Sequence, residues 1–114
     1  MANPRKTVEA LKLKELVTYQ TGAVVSRTLL TADGGTVTAF AFDAGQGLSE
    51  HTAPYDALVI VVEGAVDVKI SGKDHHLTEG DLIVMPANKP HALKAVTKFK
   101  MLLIMIRTGH VHRR

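Results

Sequence analysis

Cysteine and tryptophan are absent from the 114-residue chain, and only Tyr19, Phe40, Phe42, Tyr55 and Phe99 are aromatic. Without cysteine there is no disulfide framework, thiolate zinc site, iron-sulfur cluster or cysteine nucleophile, and a reducing cytoplasm is the expected location. So few aromatic residues provide no series of stacking platforms for a nucleic acid. No stretch approaches the roughly 20 consecutive apolar residues of a membrane span. Residues 1 to 7 contain the turn-like pair Asn3-Pro4 and the cations Arg5 and Lys6, with no apolar run behind them to act as a signal peptide, so neither export nor a membrane partner is expected. The net charge of +3 and pI of about 9.3 are properties of the basic tails, 1–7 and 108–114. Arg5, Lys6, Arg113 and Arg114 carry +4 between them and leave the body of the chain at −1, which argues against a nucleic-acid partner.

What the chain does have is apolar residues, 46% of the total, enough for one domain with a single core. From Gly22 onward they fall in short runs separated by turn signals. Thr36 to Phe42 is rich in β-branched and aromatic residues and stops at Asp43-Ala44-Gly45. Val66, Val68 and Ile70 alternate with Asp67 and Lys69, the period of a half-buried strand. Ser71-Gly72-Lys73-Asp74 then turns the chain back, and Leu77 resumes the alternation. Gly80-Asp81 leads into Leu82 to Met85, which Pro86 ends. Helical spacing is confined to residues 8 to 17, where Leu11, Leu13, Leu16 and Val17 support at most a short helix. The pattern predicts an all-β sandwich or barrel of about eight strands with a short N-terminal helical or extended segment. Two runs, Leu58 to Val62 and Met101 to Ile106, are apolar on both faces. A barrel covers only one of those faces, so a homodimer is expected to cover the other.

Two motifs in order give this sequence a family resemblance. Gly45 is followed by five residues, then His51-Thr52-Ala53, then Pro54-Tyr55-Asp56, Ala57, six further residues and Gly64. After the 15 residues Ala65 to Glu79 comes Gly80, five residues, Pro86-Ala87-Asn88, two residues and His91. The spacing resembles that of the cupin superfamily, whose first motif carries His-x-His and a Glu between glycines and whose second carries Pro-x-Gly and a His. The resemblance implies a cupin-type double-stranded β-helix, a jelly-roll barrel, over about residues 36 to 106. It also implies a site, since metal-binding cupins use two His and a Glu of the first motif with the His of the second. Here only His51 and His91 remain, because Ala53 and Ala57 occupy the other two positions. Asn88 replaces a glycine, and asparagine also tolerates a left-handed backbone.

His51 and His91 therefore have two readings. In one they are neutral imidazoles of a mostly apolar pocket, hydrogen-bonded to a small organic ligand or water. In the other they hold a divalent transition metal ion (Zn, Ni, Fe or Cu), and Gln46, Glu50, Tyr55 and Asp56 are the residues available to complete its coordination. Glu50, adjacent to His51 in an extended segment, is expected to point the other way. His75 and His76 face opposite sides of a strand and read as surface or partly packed imidazoles, while His110 and His112 sit in the basic tail. Met85, Met101 and Met105 read as gap-filling core, with a pocket wall as the alternative. Function divides accordingly between a small-molecule binding barrel and an enzyme. The enzyme would be a metal-dependent dioxygenase or isomerase, or a metal-free relative of sugar epimerases with His51 or His91 as base and Tyr55 as acid.

Overall fold

A computed structural model of the chain describes residues 8–108. Nine strands are present among them: β1 (Val24–Ala32), β2 (Gly35–Phe42), β3 (Gly47–His51), β4 (Tyr55–Glu63), β5 (Ala65–Ile70), β6 (Lys73–Thr78), β7 (Leu82–Met85), β8 (His91–Ala95) and β9 (Phe99–Arg107). The N-terminal segment contributes only a turn of 3₁₀ helix at Leu13–Glu15, with Leu11 and Leu13 exposed, so the few apolar positions there do not build an α-helix.

The strands form two antiparallel sheets, a five-stranded one in the order β1-β2-β9-β4-β7 and a four-stranded one in the order β3-β8-β5-β6. Non-sequential neighbours in both sheets make this a jelly roll. Alternate residues of each strand point between the sheets. Val59 and Val61 of β4, Val66 and Val68 of β5, and Phe42, Phe99 and Met101 are essentially removed from solvent. Phe42 and Phe99 stack with ring centroids 4.7 Å apart and plug the barrel where β9 begins. Gly64 makes the β4–β5 corner at a φ of 83°, and a Cβ there would lie 2.0 Å from the Lys98 carbonyl oxygen, so the position admits only glycine. At the β5–β6 hairpin Ser71 and Gly72 both have positive φ, as a two-residue type I′ turn requires.

The outer face of the larger sheet is half covered by the chain itself. Leu16, Val17 and Tyr19 pack over Ala39, Ala41 and Leu102. Tyr19 donates to Glu63 at 2.7 Å, Arg27 donates to the Leu16 carbonyl at 3.3 Å, and Lys100 donates to the Lys14 carbonyl, which together fasten this segment. Beyond it an apolar row, Leu30–Val37–Ile104–Leu58–Val84, crosses all five strands in register. Leu30 is 67% exposed and Val84 54%. The expectation that both runs need a partner on their outer face is thus met in part within the chain: Leu102 has one, and the row through Ile104 has none among the described residues.

Candidate functional site

His51 ends β3 and His91 begins β8, and the two are paired across the smaller sheet. Regular pairing from Leu48 opposite Leu93 would place residue 50 opposite His91, but a one-residue shift puts His51 there instead. This bulge turns His51 to the same side as Leu48 and His91, and it turns Glu50 outward to a shallow groove with Asp67 and Lys69. Each imidazole is then anchored by the carbonyl two residues before it: His51 Nδ1–H donates to Ser49 at 2.8 Å, and His91 Nδ1–H to Lys89 at 3.1 Å. A carbonyl oxygen only accepts, so both Nδ1 atoms carry hydrogen and both neutral rings present a bare Nε2 lone pair. Those Nε2 atoms lie 3.2 Å apart, with the rings edge to face at 68°. His51 is exposed at the mouth, whereas His91 is buried with 6% of its surface accessible. Burial is the main reason the His91 imidazole titrates below the ordinary histidine range; the Lys89 carbonyl opposes the shift and His51 adds to it.

The turn that delivers His91 is held from the β3–β4 loop. Asn88, at a φ of 65°, donates its backbone N–H to the Ala53 carbonyl at 2.8 Å, and Ala87 N–H donates to the Asp56 carboxylate at 2.9 Å. Ser71 N–H donates to the Pro90 carbonyl at 2.8 Å and ties the other side of the turn to the β5–β6 hairpin.

The imidazole pair forms the polar end of a small apolar cleft with about 50 Å³ of free space. Its other walls are apolar: Leu48 and Leu93 from the smaller sheet, and Ala57, Met85, Met101, Leu103 and Met105 from the larger one. Ala57 is paired with Met85 on one side and Met105 on the other, so its missing side chain leaves space flanked by two thioethers. Met85 and Met101 belong to the buried core as well, so the gap-filling and pocket-wall readings of the methionines both hold. Tyr55 stands at the rim, between this cleft and a depression shared with Arg107.

A family model for the cupin domain matches residues 39–107, a span that contains both histidines and every wall of the cleft. The chain belongs to the cupin family. Among solved structures, a conserved protein of unknown function from Streptococcus pyogenes is 34% identical, with a TM-score of 0.86 and coverage of 92% of each chain. A cupin superfamily protein from Desulfitobacterium hafniense is 26% identical, with a TM-score of 0.84 over 90% of this chain and 94% of that one. A conserved-barrel cupin from Leptotrichia buccalis is 39% identical, with a TM-score of 0.82 over 85% of this chain but only 47% of its own length. No curated protein matches the sequence.

In this cupin Tyr55 shares the cleft with the pair, whereas Gln46, Glu50 and Asp56 do not line it. Gln46 lies in the turn before β3, where its carbonyl accepts Ala95 N–H at 2.8 Å, and it does not line the cleft. Asp56 occupies an outward position of β4, and its carboxylate is used by Ala87. Among the described residues no group of three or more His, Asp, Glu or Cys is placed to hold a metal. The donor set from those types is two imidazoles. Their spacing suits a shared ion, since two bonds of roughly 2.0–2.1 Å spanning 3.2 Å meet at an angle of about 100°. His75 is half-buried beside Leu77, and His76 is exposed and donates to Asp67 at 2.7 Å, as a surface pair. His110 and His112 lie outside the described residues. No helix among the described residues is long and apolar enough to cross a membrane.

Sequence reasoning missed Asp56 as the anchor of the His91 turn and Leu48, Leu93 and Leu103 as cleft walls. The motif spacing identified the two histidines, but the groups that aim them are backbone carbonyls and a carboxylate brought in by long-range register, which local spacing does not reveal.

Proposed function

We propose that this cupin is a small-molecule binding barrel that holds a modest organic ligand in the cleft, oriented by His51 and His91. The observation supporting this reading is the convergence of two Nε2 lone pairs, 3.2 Å apart, at the polar end of an apolar cleft. Two acceptors so close repel each other unless something electropositive lies between or before them. A donor hydrogen of the ligand, a proton shared by the rings, or one transition metal ion (Zn, Ni, Fe or Cu) meets that need. His51 and His91 are the residues that hold such an ion, which when bound supplies a Lewis acid at the cleft mouth. The Leu and Met walls take the apolar part of the ligand. A cytoplasmic location, consistent with the lack of cysteine, belongs to the same proposal.

Tyr55 favours a second reading, that of an enzyme, because it lines the same cleft as the pair. A phenol and an imidazole on one bound molecule make an acid and a base for isomerisation or epimerisation, and the same cleft with a metal suits a dioxygenase.

Elemental analysis and native mass spectrometry of protein purified without an affinity tag test the binding reading. The expected result is a bound ion or small molecule on the wild type that is lost from both His51→Ala and His91→Ala, with little change in urea midpoint. Retention of the same species by both variants overturns it.

A further inference from the structure

Every other lining group of the cleft is neutral, and this limits the cation the site accepts. The cleft contains no carboxylate or thiolate: beside the two imidazoles, its remaining donors are the thioethers of Met85, Met101 and Met105 and the Tyr55 hydroxyl. Without an anionic ligand, a buried cation keeps its full charge. The cost of desolvating an ion rises with the square of its charge, so a monovalent ion costs about a quarter as much as a divalent one of equal radius. Three of the donors are soft sulfur atoms, which together with imidazole select cuprous copper over harder divalent ions. The pair is also bent: at 3.2 Å the imidazoles subtend about 100° at a shared ion, not the straight line that satisfies a two-coordinate one, so further ligands are required. They must come from the cleft side. There the register sets Met85 and Met105 on either side of Ala57, whose methyl group leaves the space between them open.

We propose that the cleft is a monovalent soft-metal site, selective for Cu(I), in which His51 and His91 supply two nitrogens and the thioethers of Met85 and Met105 complete the shell. This rests on the reading of the cleft as the binding site and takes a metal ion, of the species that satisfy the two lone pairs, as what the pair holds. The bulge at β3 and the two Nδ1 anchors become the supports that fix both imidazole ligands in the required tautomer. The walls offer no carboxylate, the hard anionic donor that would favour Cu(II).

The experiment is an anaerobic competition titration of full-length protein against bicinchoninate for Cu(I), with Ag(I) as a redox-inert monovalent analogue and Zn(II) and Ni(II) as divalent comparisons. One equivalent of Cu(I) and of Ag(I) is expected to bind, each more tightly than Zn(II) or Ni(II). Met85→Leu with Met105→Leu conserves volume and preserves the fold, which circular dichroism checks. It is expected to weaken Cu(I) and Ag(I) by about tenfold or more while leaving any Zn(II) binding unchanged. X-ray absorption at the copper edge is expected to show sulfur scattering in the wild type that the double variant lacks. Tighter Zn(II) or Ni(II) than Cu(I), no competition with bicinchoninate, or Cu(I) affinity indifferent to the two methionines overturns the soft-metal assignment. In those cases the binding reading of the cleft still stands if His51→Ala abolishes whatever is bound, and it falls too if that variant changes nothing.

Discussion

The Asp56 carboxylate accepts the backbone N–H of Ala87 at 2.9 Å, and this contact ties the start of β4 to the turn that delivers His91. The carboxylate lies outside the cleft, so its role is to place an imidazole that it does not touch. Asp56→Ala is expected to lower stability by about 1 kcal/mol and to weaken binding at the imidazole pair disproportionately. Asp56→Asn, which retains an accepting oxygen, is expected to recover most of both. Parallel urea unfolding and binding titrations check this, and equal binding by wild type and Asp56→Ala would remove the positioning role.

Burial of His91 predicts how stability depends on pH once metal is removed with a chelator. Its folded-state pKa is lowered, so above the ordinary value near 6.5 the ring is neutral in both states and costs nothing. As the pH falls below about 6.5, the unfolded chain takes up a proton that the folded chain refuses, and stability declines until the pH reaches the folded-state value. Urea midpoints measured from pH 7.5 down to 5 are expected to fall for the wild type and to fall less for His91→Gln. Parallel curves for the two would mean that another group dominates this range.

Much of this architecture was legible in sequence because strand periodicity and turn chemistry are local. Ser71-Gly72 marked its hairpin, Pro86 its strand end, and the alternation of Val66, Val68 and Ile70 its buried face. The cupin spacing identified His51 and His91 as the pair. What escaped was set by long-range register. Gln46 and Asp56 are close to His51 in sequence, but Gln46 lies in the turn before β3 and Asp56 on the outward face of β4. The cover that Leu16, Val17 and Tyr19 give to Ala39 and Ala41 was not legible either, because it depends on where the N-terminal segment crosses the sheet and not on local periodicity.

The uncovered apolar row predicts that a second copy of the chain packs on it. Ile104 is the central residue of Leu30–Val37–Ile104–Leu58–Val84, and no member carries charge. A two-fold axis through Ile104 therefore sets Leu30 and Val37 of one copy against Leu58 and Val84 of the other, apolar side chain on apolar side chain. Sedimentation at micromolar concentration is expected to give a dimer for the wild type and a monomer for Ile104→Lys. A monomeric wild type would refute the interface, and a dimeric variant would place it on another face.

Restoring the missing family ligands is expected to exchange soft for hard metal selectivity. Ala53→His adds an imidazole at the cleft wall, and Ala57→Glu brings a carboxylate between Met85 and Met105, where it both displaces the thioethers and supplies the negative charge the wild-type site lacks. Filling space beside the buried Met85 costs about 1–3 kcal/mol of stability, so the double variant is expected to have a lower urea midpoint without metal and to regain it with Zn(II) or Ni(II). Protons compete for the imidazoles, so that regain is expected to shrink as the pH falls through the histidine range. The deciding comparison is the metal-dependent midpoint shift of wild type and variant at one pH. A larger shift with divalent ions in the variant, alongside weaker Cu(I) binding, follows from the donor set. If neither protein shifts with any metal, the imidazole pair receives a hydrogen-bond donor and not an ion.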